Sequence, residues 1–174
     1  MTRPKILPGS KLLSLHAYHP WAMDSRSLTH KIRSRCRHFT VQLLHQGTGK
    51  LMAFEAKLLG SSTPQISQVR EVWLMADGLP VVYARSILPR RSLARQYGSI
   101  RTLGERPLGD TLFTNKNMGR KAVRIFRLLP DNPLYPKNLN LSEPLYARAS
   151  IFNLNNRPIL VTDVFLPGIL KLLP

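Results

Sequence analysis

An Asp77-Gly78 step between two runs of β-branched and aromatic residues constrains this chain more than any other feature. In REVWLMADGLPVVYARSILP (70–89), Val72, Trp73, Val81, Val82, Tyr83 and Ile87 suit a pleated surface, and Asp-Gly tolerates the positive φ of a two-residue hairpin turn. With Asp77 and Gly78 as the central residues of an unbroken ladder, Ala76 faces Leu79, Leu74 faces Val81, Val72 faces Tyr83, and Arg70 faces Arg85. Two guanidiniums would then stand side by side on the more apolar face. Like charges directly opposite repel, and a buried unpaired cation is costly. Such a register demands an anion, or two protein carboxylates, beside Arg70 and Arg85. Alternatively the register is offset by one, or the arginines lie at the open end of the hairpin in water.

The charge balance points the same way on a larger scale. Lys plus Arg number 26 against 9 acidic residues in 174, a formal net charge of +17. Polyanions, meaning nucleic acid or an anionic membrane surface, are the partners such a balance favours, and a merely solvated basic face is the plain alternative. A single cysteine, Cys36, excludes an intramolecular disulfide and a cysteine-rich metal site. The first twenty residues have no uninterrupted apolar core of the signal-peptide kind, and Asp163, Pro167 and Lys171 break the apolar tail, so a soluble, cytoplasmic protein is expected.

Length and a 43% hydrophobic content favour one domain over 1–174, with 1–20 as an N-terminal extension. Leu28, Ile32 and Cys36 recur every four residues between Trp21 and Arg37, predicting a helix capped by Asp24, Ser25 or Ser27. Phe39–His45 and Leu51–Leu58 alternate as strands around Gly47-Thr48-Gly49, a second hairpin. Leu93, Tyr97, Ile100 and Leu103 sit at helical spacing, and Pro107 can start a short helix through Leu112. Ala122–Leu129 can form a further strand, while 130–144 is Pro- and Asn-rich and reads as an inserted loop too polar to pack. Arg148–Pro167 forms a last hairpin around Asn155-Asn156, placing Phe152 opposite Ile159, Ser150 opposite Val161 and Arg148 opposite Asp163. An acid in so apolar a strand implies either an ion pair with Arg148 or a ligand. The pattern predicts an α+β fold: a single antiparallel sheet of about six strands, with helices covering one face.

Motifs for metal or phosphate chemistry are missing from the sequence. The five histidines have no acidic partners at ligand spacing, so no metal site is expected. Gly47-Thr48-Gly49-Lys50 fails as a phosphate loop, because Leu44 stands where its first glycine belongs and Leu51 replaces the Ser or Thr after the lysine. No GxSxG elbow or dinucleotide fingerprint occurs.

Three blocks together go further. REVWLMADGLPVVYARSILP, LGERPLGDTLFT and ASIFNLNNRPILVTDVFLP resemble, in order and spacing, the signature blocks of the chorismate lyase (chorismate pyruvate-lyase) family, over roughly Ser27–Pro167. The resemblance implies a monomeric, cofactor-free lyase that splits chorismate into 4-hydroxybenzoate and pyruvate, the first step toward ubiquinone. It also implies a chorismate lyase-like fold whose ligand lies beneath flaps. Arg70 matches the arginine that holds the ring carboxylate, and Leu108 a flap residue whose backbone N–H binds the same group. Leu28 aligns with a methionine doing likewise from the first helix, and Arg85 matches a second arginine lining the interior. In this reading Arg70, Arg85 and Asp163 are catalytic: Arg70 fixes the ring, Arg85 stabilises the departing enolpyruvate, and Asp163 orients the ring hydroxyl. Asp163 departs from the family, which typically has glutamate there. The shorter acid withdraws the carboxylate by about 1.5 Å, and misplacement near 1 Å can cost on the order of 100-fold in rate. A backbone shift, a bridging water or a slower reaction would each accommodate this.

Two other classes fit parts of the sequence. A non-catalytic small-anion effector-binding domain of the same fold would suit the shortened acid, although no helix-turn-helix segment precedes Ser27. A basic nucleic-acid-binding protein would rest on charge alone, and no specific nucleic acid is expected. A basic surface could instead keep the lyase near anionic lipid.

Overall fold

A computed structural model describes residues 5–6, 16–61, 66–89, 100, 102–114, 119–154 and 157–172. Its strands are β1 (Lys5–Ile6), β2 (Phe39–Lys50), β3 (Ile66–Ala76), β4 (Leu79–Pro89), β5 (Gly119–Leu128), β6 (Leu145–Leu154) and β7 (Arg157–Phe165). They form one sheet in the order β1-β5-β6-β7-β4-β3-β2, with every neighbouring pair antiparallel. Six are long strands, and β1 adds two residues to an outer edge. The helices are α1 (His19–Ala22), α2 (Leu28–Arg33), α3 (Ala53–Leu58) and α4 (Leu108–Thr114), followed by 3-10 turns at Lys137–Leu139 and Pro167–Leu172.

The central hairpin turns at Asp77-Gly78, with φ of 49° and 80°, as a two-residue turn of this hand requires. Asp77 ties the turn down: its carboxylate accepts from the backbone N–H of Arg37 and of His38. Ala76 faces Leu79 as expected, but the ladder then slips. Met75 pairs with Pro80 and Leu74 with Val82, so Val81 is an extra residue on β4. Proline has no N–H for a ladder and is confined within sheets to edges and bulges. The carbonyl of Val81 turns aside to accept from Leu166 N–H at 3.0 Å. Beyond the bulge Val72 pairs with Ala84, Glu71 with Arg85, and Arg70 with Ser86. The expected facing of Arg70 and Arg85 is therefore wrong: the two arginines stand on opposite faces.

A second correction concerns the predicted hairpin at Gly47–Gly49. β2 runs straight through these glycines, pairing Gly47 with Val69 and Gly49 with Ser67. A Cβ on Gly49 would lie 2.8 Å from Val69 Cγ2, so glycine serves close packing there and not a turn. The predicted strand 51–58 is instead mostly α3. Its Ala, Glu, Lys and Leu favour helix, and Glu55 reaches back to accept from Met52 N–H at 2.8 Å, satisfying one of the first-turn donors. The single helix expected over 21–37 is divided into α1 and α2, with Ser27 capping α2 by accepting from His30 N–H.

α1, α2 and α4 lie on one face of the sheet, over Val41, Val72, Leu74, Ala84 and Phe165 and, at one end, Phe152 and Ile159. α3 lies on the other, against Val69, Trp73, Tyr83 and Ile87. Segment 129–144 shares that second face, where Leu134 and Tyr135 are buried and Asn132 Oδ1 accepts from Leu134 N–H at 2.9 Å. The expectation that it is too polar to pack fails because its few apolar side chains are grouped on one side while its polar ones close local turns. The last hairpin has the expected register, with Phe152 opposite Ile159, Ser150 opposite Val161 and Arg148 opposite Asp163; its Asn155-Asn156 turn lies outside the described residues, as does the predicted helix from Leu93 except for its end, where Ile100 and Leu103 are buried. No helix among the described residues is long and apolar enough to cross a membrane.

The bulge also fixes the neighbourhood of Gly168, where a Cβ would approach Pro80 O to 2.7 Å. Gly168→Ala is expected to lower stability by about 1–3 kcal/mol, as overpacking against rigid backbone does, measured as a shift in the urea midpoint at unchanged slope.

Candidate active site

The face under α2 and α4 holds a cavity enclosed between these helices and the sheet. Its floor is the pocket-facing side of the sheet, with Val72 and Leu74 of β3, Ala84 and Ser86 of β4, and Val161 of β7. Its roof is the start of α2 (Leu28, Thr29) and of α4 (Pro107 to Gly109, Leu112, Phe113). The two roof helices touch where Gly109 leaves no room for a side chain: a Cβ would lie 2.9 Å from Thr29 Oγ1 and 3.1 Å from Ser27 Oγ. A half-exposed ion pair, Arg33–Asp110 at 3.2 Å, ties the same two helices at their outer surface.

Four charged residues line the cavity: Arg70, Arg120, Arg148 and Asp163. Arg70 is 3% exposed, and its Nε and Nη2 donate to Gly104 O at 3.3 and 2.8 Å, Nη2 also to Arg106 O at 2.9 Å. Carbonyl dipoles thus hold the guanidinium without neutralising it, and no carboxylate pairs with it among the described residues. Burial accordingly pulls its pKa down to about 10.

Arg148 and Asp163 share the cross-strand position expected of them. Arg148 Nε and Nη2 donate to Asp163 Oδ2 at 3.3 and 2.9 Å, while Nη1 donates to the carbonyls of Trp21 and Asp24 at 3.3 and 2.8 Å. The structural alternative, an ion pair, is therefore present, and Asp163 lines the cavity as well. The pair occupies Oδ2 and not Oδ1.

Arg120 was not singled out by sequence reasoning. It projects from β5, opposite Phe152 on β6, with its guanidinium 5.2 and 5.1 Å from the ring centres of Phe113 and Phe152. Nη1 donates to Asp24 O at 3.3 Å, and the buried Nε has no partner. Burial lowers its pKa, Arg148 adds repulsion, and the attraction of Asp163 and Asp24 offsets part of both. The faint signal for it in the sequence was an arginine at the start of a strand paired with a phenylalanine. Nothing local said which face it takes, because β5 carries its own bulge between Arg120 and Ala122.

Of the expected site residues, the fold brings together Arg70, Leu28, Leu108 and Asp163 around one cavity. Arg85 is not among them. It points to the opposite face, where Nε donates to Glu55 Oε1 at 2.8 Å and Nη1 to Glu71. Two protein carboxylates, one of the two options the facing-arginine register left open, are here, but they serve Arg85 alone. Facing away from the cavity, Arg85 cannot line the same interior as Arg70, and the leaving-group role expected of it is withdrawn. No cluster of three or more potential metal ligands occurs among the described residues.

The family model described as chorismate lyase matches residues 10–172. The chain belongs to the chorismate lyase family. Proteins named "Probable chorismate pyruvate-lyase" are similar to it at 43% identity in Aromatoleum aromaticum, over 88% of this chain and 86% of that one. One from Azoarcus sp. is 38% identical, over 88% and 85%. Chorismate lyases are carbon–oxygen lyases, so the chain is an enzyme of that class. The sheet is also similar to a GntR-family transcriptional regulator from Bacillus cereus (TM-score 0.57, 15% identity, 75% of this chain and 92% of that one). The effector domain of PhnF from Mycobacterium smegmatis is a further likeness (TM-score 0.53, 16% identity, 75% and 82%). Those likenesses are of fold alone. Within this member of the family, the β3–β4 bulge decides which face of the sheet Arg85 takes relative to the cavity, and Asp163 is held by Arg148 from the opposite strand.

Glu55 is fully buried, so Arg85→Met strands its carboxylate and should destabilise by about 3–5 kcal/mol in urea unfolding, while the folded remainder keeps its affinity for small carboxylates. Burial pulls the Arg70 pKa down to about 10, below the ordinary guanidinium range, so stability should rise with pH above that value, as the folded state sheds the buried charge before the unfolded one does. Anion binding needs the charged form: benzoate affinity, followed by calorimetry, should be flat from pH 7 to 9 and weaken as pH rises through about 10.

Proposed function

We propose that the cavity binds chorismate and splits it into 4-hydroxybenzoate and pyruvate, supplying the first step toward ubiquinone. The observation that carries this reading is charge. Three arginines and one aspartate line the cavity, leaving two positive charges uncompensated in a largely apolar, roofed site. Chorismate is a dianion of matching charge, and membership of the chorismate lyase family narrows the choice of dianion to it.

Arg70 receives the ring carboxylate, because it is the buried cation whose neighbours are neutral carbonyls and not an acid. Leu28 and Leu108 are the first residues of α2 and α4. Backbone N–H groups at that position have no acceptor within their own helix and suit the same carboxylate. A side chain is not what these two positions contribute, which accommodates Leu28 where the family has methionine. Asp163 accepts from the ring hydroxyl, while Arg148 holds its carboxylate in place through Oδ2.

The chemistry then balances without redox change. The hydrogen on the hydroxyl-bearing ring carbon leaves as a proton, and its electron pair completes the aromatic ring. The adjacent C–O bond breaks with its pair on the departing enolpyruvate, which takes up a proton and ketonises to pyruvate. Aromatisation drives the step, so the protein's part is to orient the ring, exclude water under the roof and stabilise charge on the leaving group.

Purified protein incubated with chorismate should form 4-hydroxybenzoate and pyruvate in equal amounts. Arg70→Ala should weaken 4-hydroxybenzoate binding by about 100-fold, in the range of losing a charged, buried partner. Tight binding of 4-hydroxybenzoate with no turnover would replace this reading with an effector-binding role on the same fold.

A further inference from the structure

A dianion needs two receptors, and the withdrawal of Arg85 from the cavity leaves the second one unassigned. Three arginines are candidates by position. Arg148 is fully committed: Nε and Nη2 grip Asp163, and Nη1 is shared by two carbonyls. Arg70 is placed beside the roof residues Leu28 and Leu108, the end assigned above to the ring carboxylate. Arg120 differs from both. Its Nη1 is anchored on Asp24 O, but the Nε–Nη2 edge, the same edge with which Arg148 grips Asp163, carries no hydrogen bond among the described residues, and Nε is shut away from water. Two phenyl rings flank the guanidinium, Phe113 from the roof helix α4 at 5.2 Å and Phe152 from β6 at 5.1 Å between centres. No carboxylate pairs with it among the described residues.

A guanidinium anchored through Nη1, with Nε buried and its Nε–Nη2 edge unpaired among the described residues, has the donors for bidentate contact with a planar oxyanion. Arg120 comes from β5 and Arg70 from β3, with β6, β7 and β4 between them. The two therefore address a ligand from different sides, as two carboxylates on one ring system require.

We propose that Arg120 is the substrate-binding residue for the second carboxylate, the one on the enolpyruvyl group, and that it makes the site selective for dicarboxylates over the monocarboxylate product. This assignment rests on the lyase reading for the identity of the substrate, but the selectivity itself does not. When the ether bond breaks, charge accumulates on the enolpyruvyl fragment, and Arg120 is the fixed cation beside it. Once the C–O bond is cut, pyruvate and 4-hydroxybenzoate are held by separate arginines, so each product leaves on its own.

The test compares wild type with Arg120→Met, which keeps an unbranched apolar stem between the two rings, and Arg120→Lys, which keeps charge but loses the fork. Binding of 4-hydroxybenzoate and of a stable dicarboxylate analogue, 3-(carboxymethoxy)-4-hydroxybenzoate, is measured by calorimetry, and chorismate turnover by pyruvate release. Wild type should prefer the dicarboxylate, and Arg120→Met should abolish that preference while changing 4-hydroxybenzoate affinity by less than about threefold. Turnover, as kcat/KM, should fall by about 10²–10³ in Arg120→Met, the range for losing one transition-state donor, with partial recovery in Arg120→Lys. Equal losses for both ligands, or an unchanged kcat/KM in Arg120→Met, would overturn the role of Arg120 while leaving the lyase reading intact. Absence of turnover in wild type, together with an Arg120-dependent dicarboxylate preference, would overturn the lyase reading and keep the assignment of Arg120.

Discussion

Burying a guanidinium costs several kcal/mol unless something meets its charge or its donors, and this fold solves that problem in three different ways within one sheet. Arg85 is neutralised outright by Glu55 and Glu71. Arg148 is half neutralised by Asp163 and half solvated by the carbonyls of the α1–α2 connection. Arg70 is solvated by carbonyls alone, and its depressed pKa records the cost. The gradation separates structural charge from functional charge. A paired arginine holds the fold together, and an arginine held only by dipoles is a site waiting for an anion.

The roof depends on the same economy. Carbonyls that hold the arginines belong to the segments that cover the cavity: Trp21 and Asp24 precede α2, and Gly104 and Arg106 precede α4. Asp24 is the busiest of these. Its carbonyl accepts from both Arg120 and Arg148, while its carboxylate is held by Arg26 and Lys31, which keep it ionised well below the usual carboxylate range. Binding charge and closing the roof are therefore one set of contacts. An anion that draws Arg70 or Arg120 toward itself pulls on the loops that must cover it.

Asp163 is a short acid held rigidly at the cavity wall. Its carboxylate lies between β6 and the cavity, fixed by Arg148 from the directly opposite residue. A rigidly held short side chain presents a well-defined acceptor, and the position of the ligand's hydroxyl, not the length of the acid, decides whether contact is made. The placement of Arg120 on the neighbouring strand β5 gives that end of the cavity a second fixed group of opposite sign.

Local chemistry in the sequence determined the Asp77-Gly78 turn, the antiparallel sheet, the cross-strand pair Arg148–Asp163 and the three blocks that mark the family, because turn geometry and strand alternation act over a few residues. It asked for an anion or two carboxylates beside facing arginines; the arginines do not face each other, and the carboxylates meet Arg85 alone. Which face each arginine takes was decided by the tertiary structure. A single extra residue at Val81, beside a proline unable to join the ladder, reverses the side on which Arg85 emerges relative to Arg70. Pro80 was visible, but whether a proline after a turn ends the strand or bulges it depends on what receives the displaced carbonyl, here Leu166 from the far end of the chain. The helix α3 was legible locally in its Ala, Glu, Lys and Leu; what only the tertiary structure decided is that its Glu55 meets Arg85. Arg120 becomes a site residue only because β5, β6 and α4 meet around it. Side-chain period is a local property; register, and therefore function at this site, is settled by contacts between residues distant in the chain.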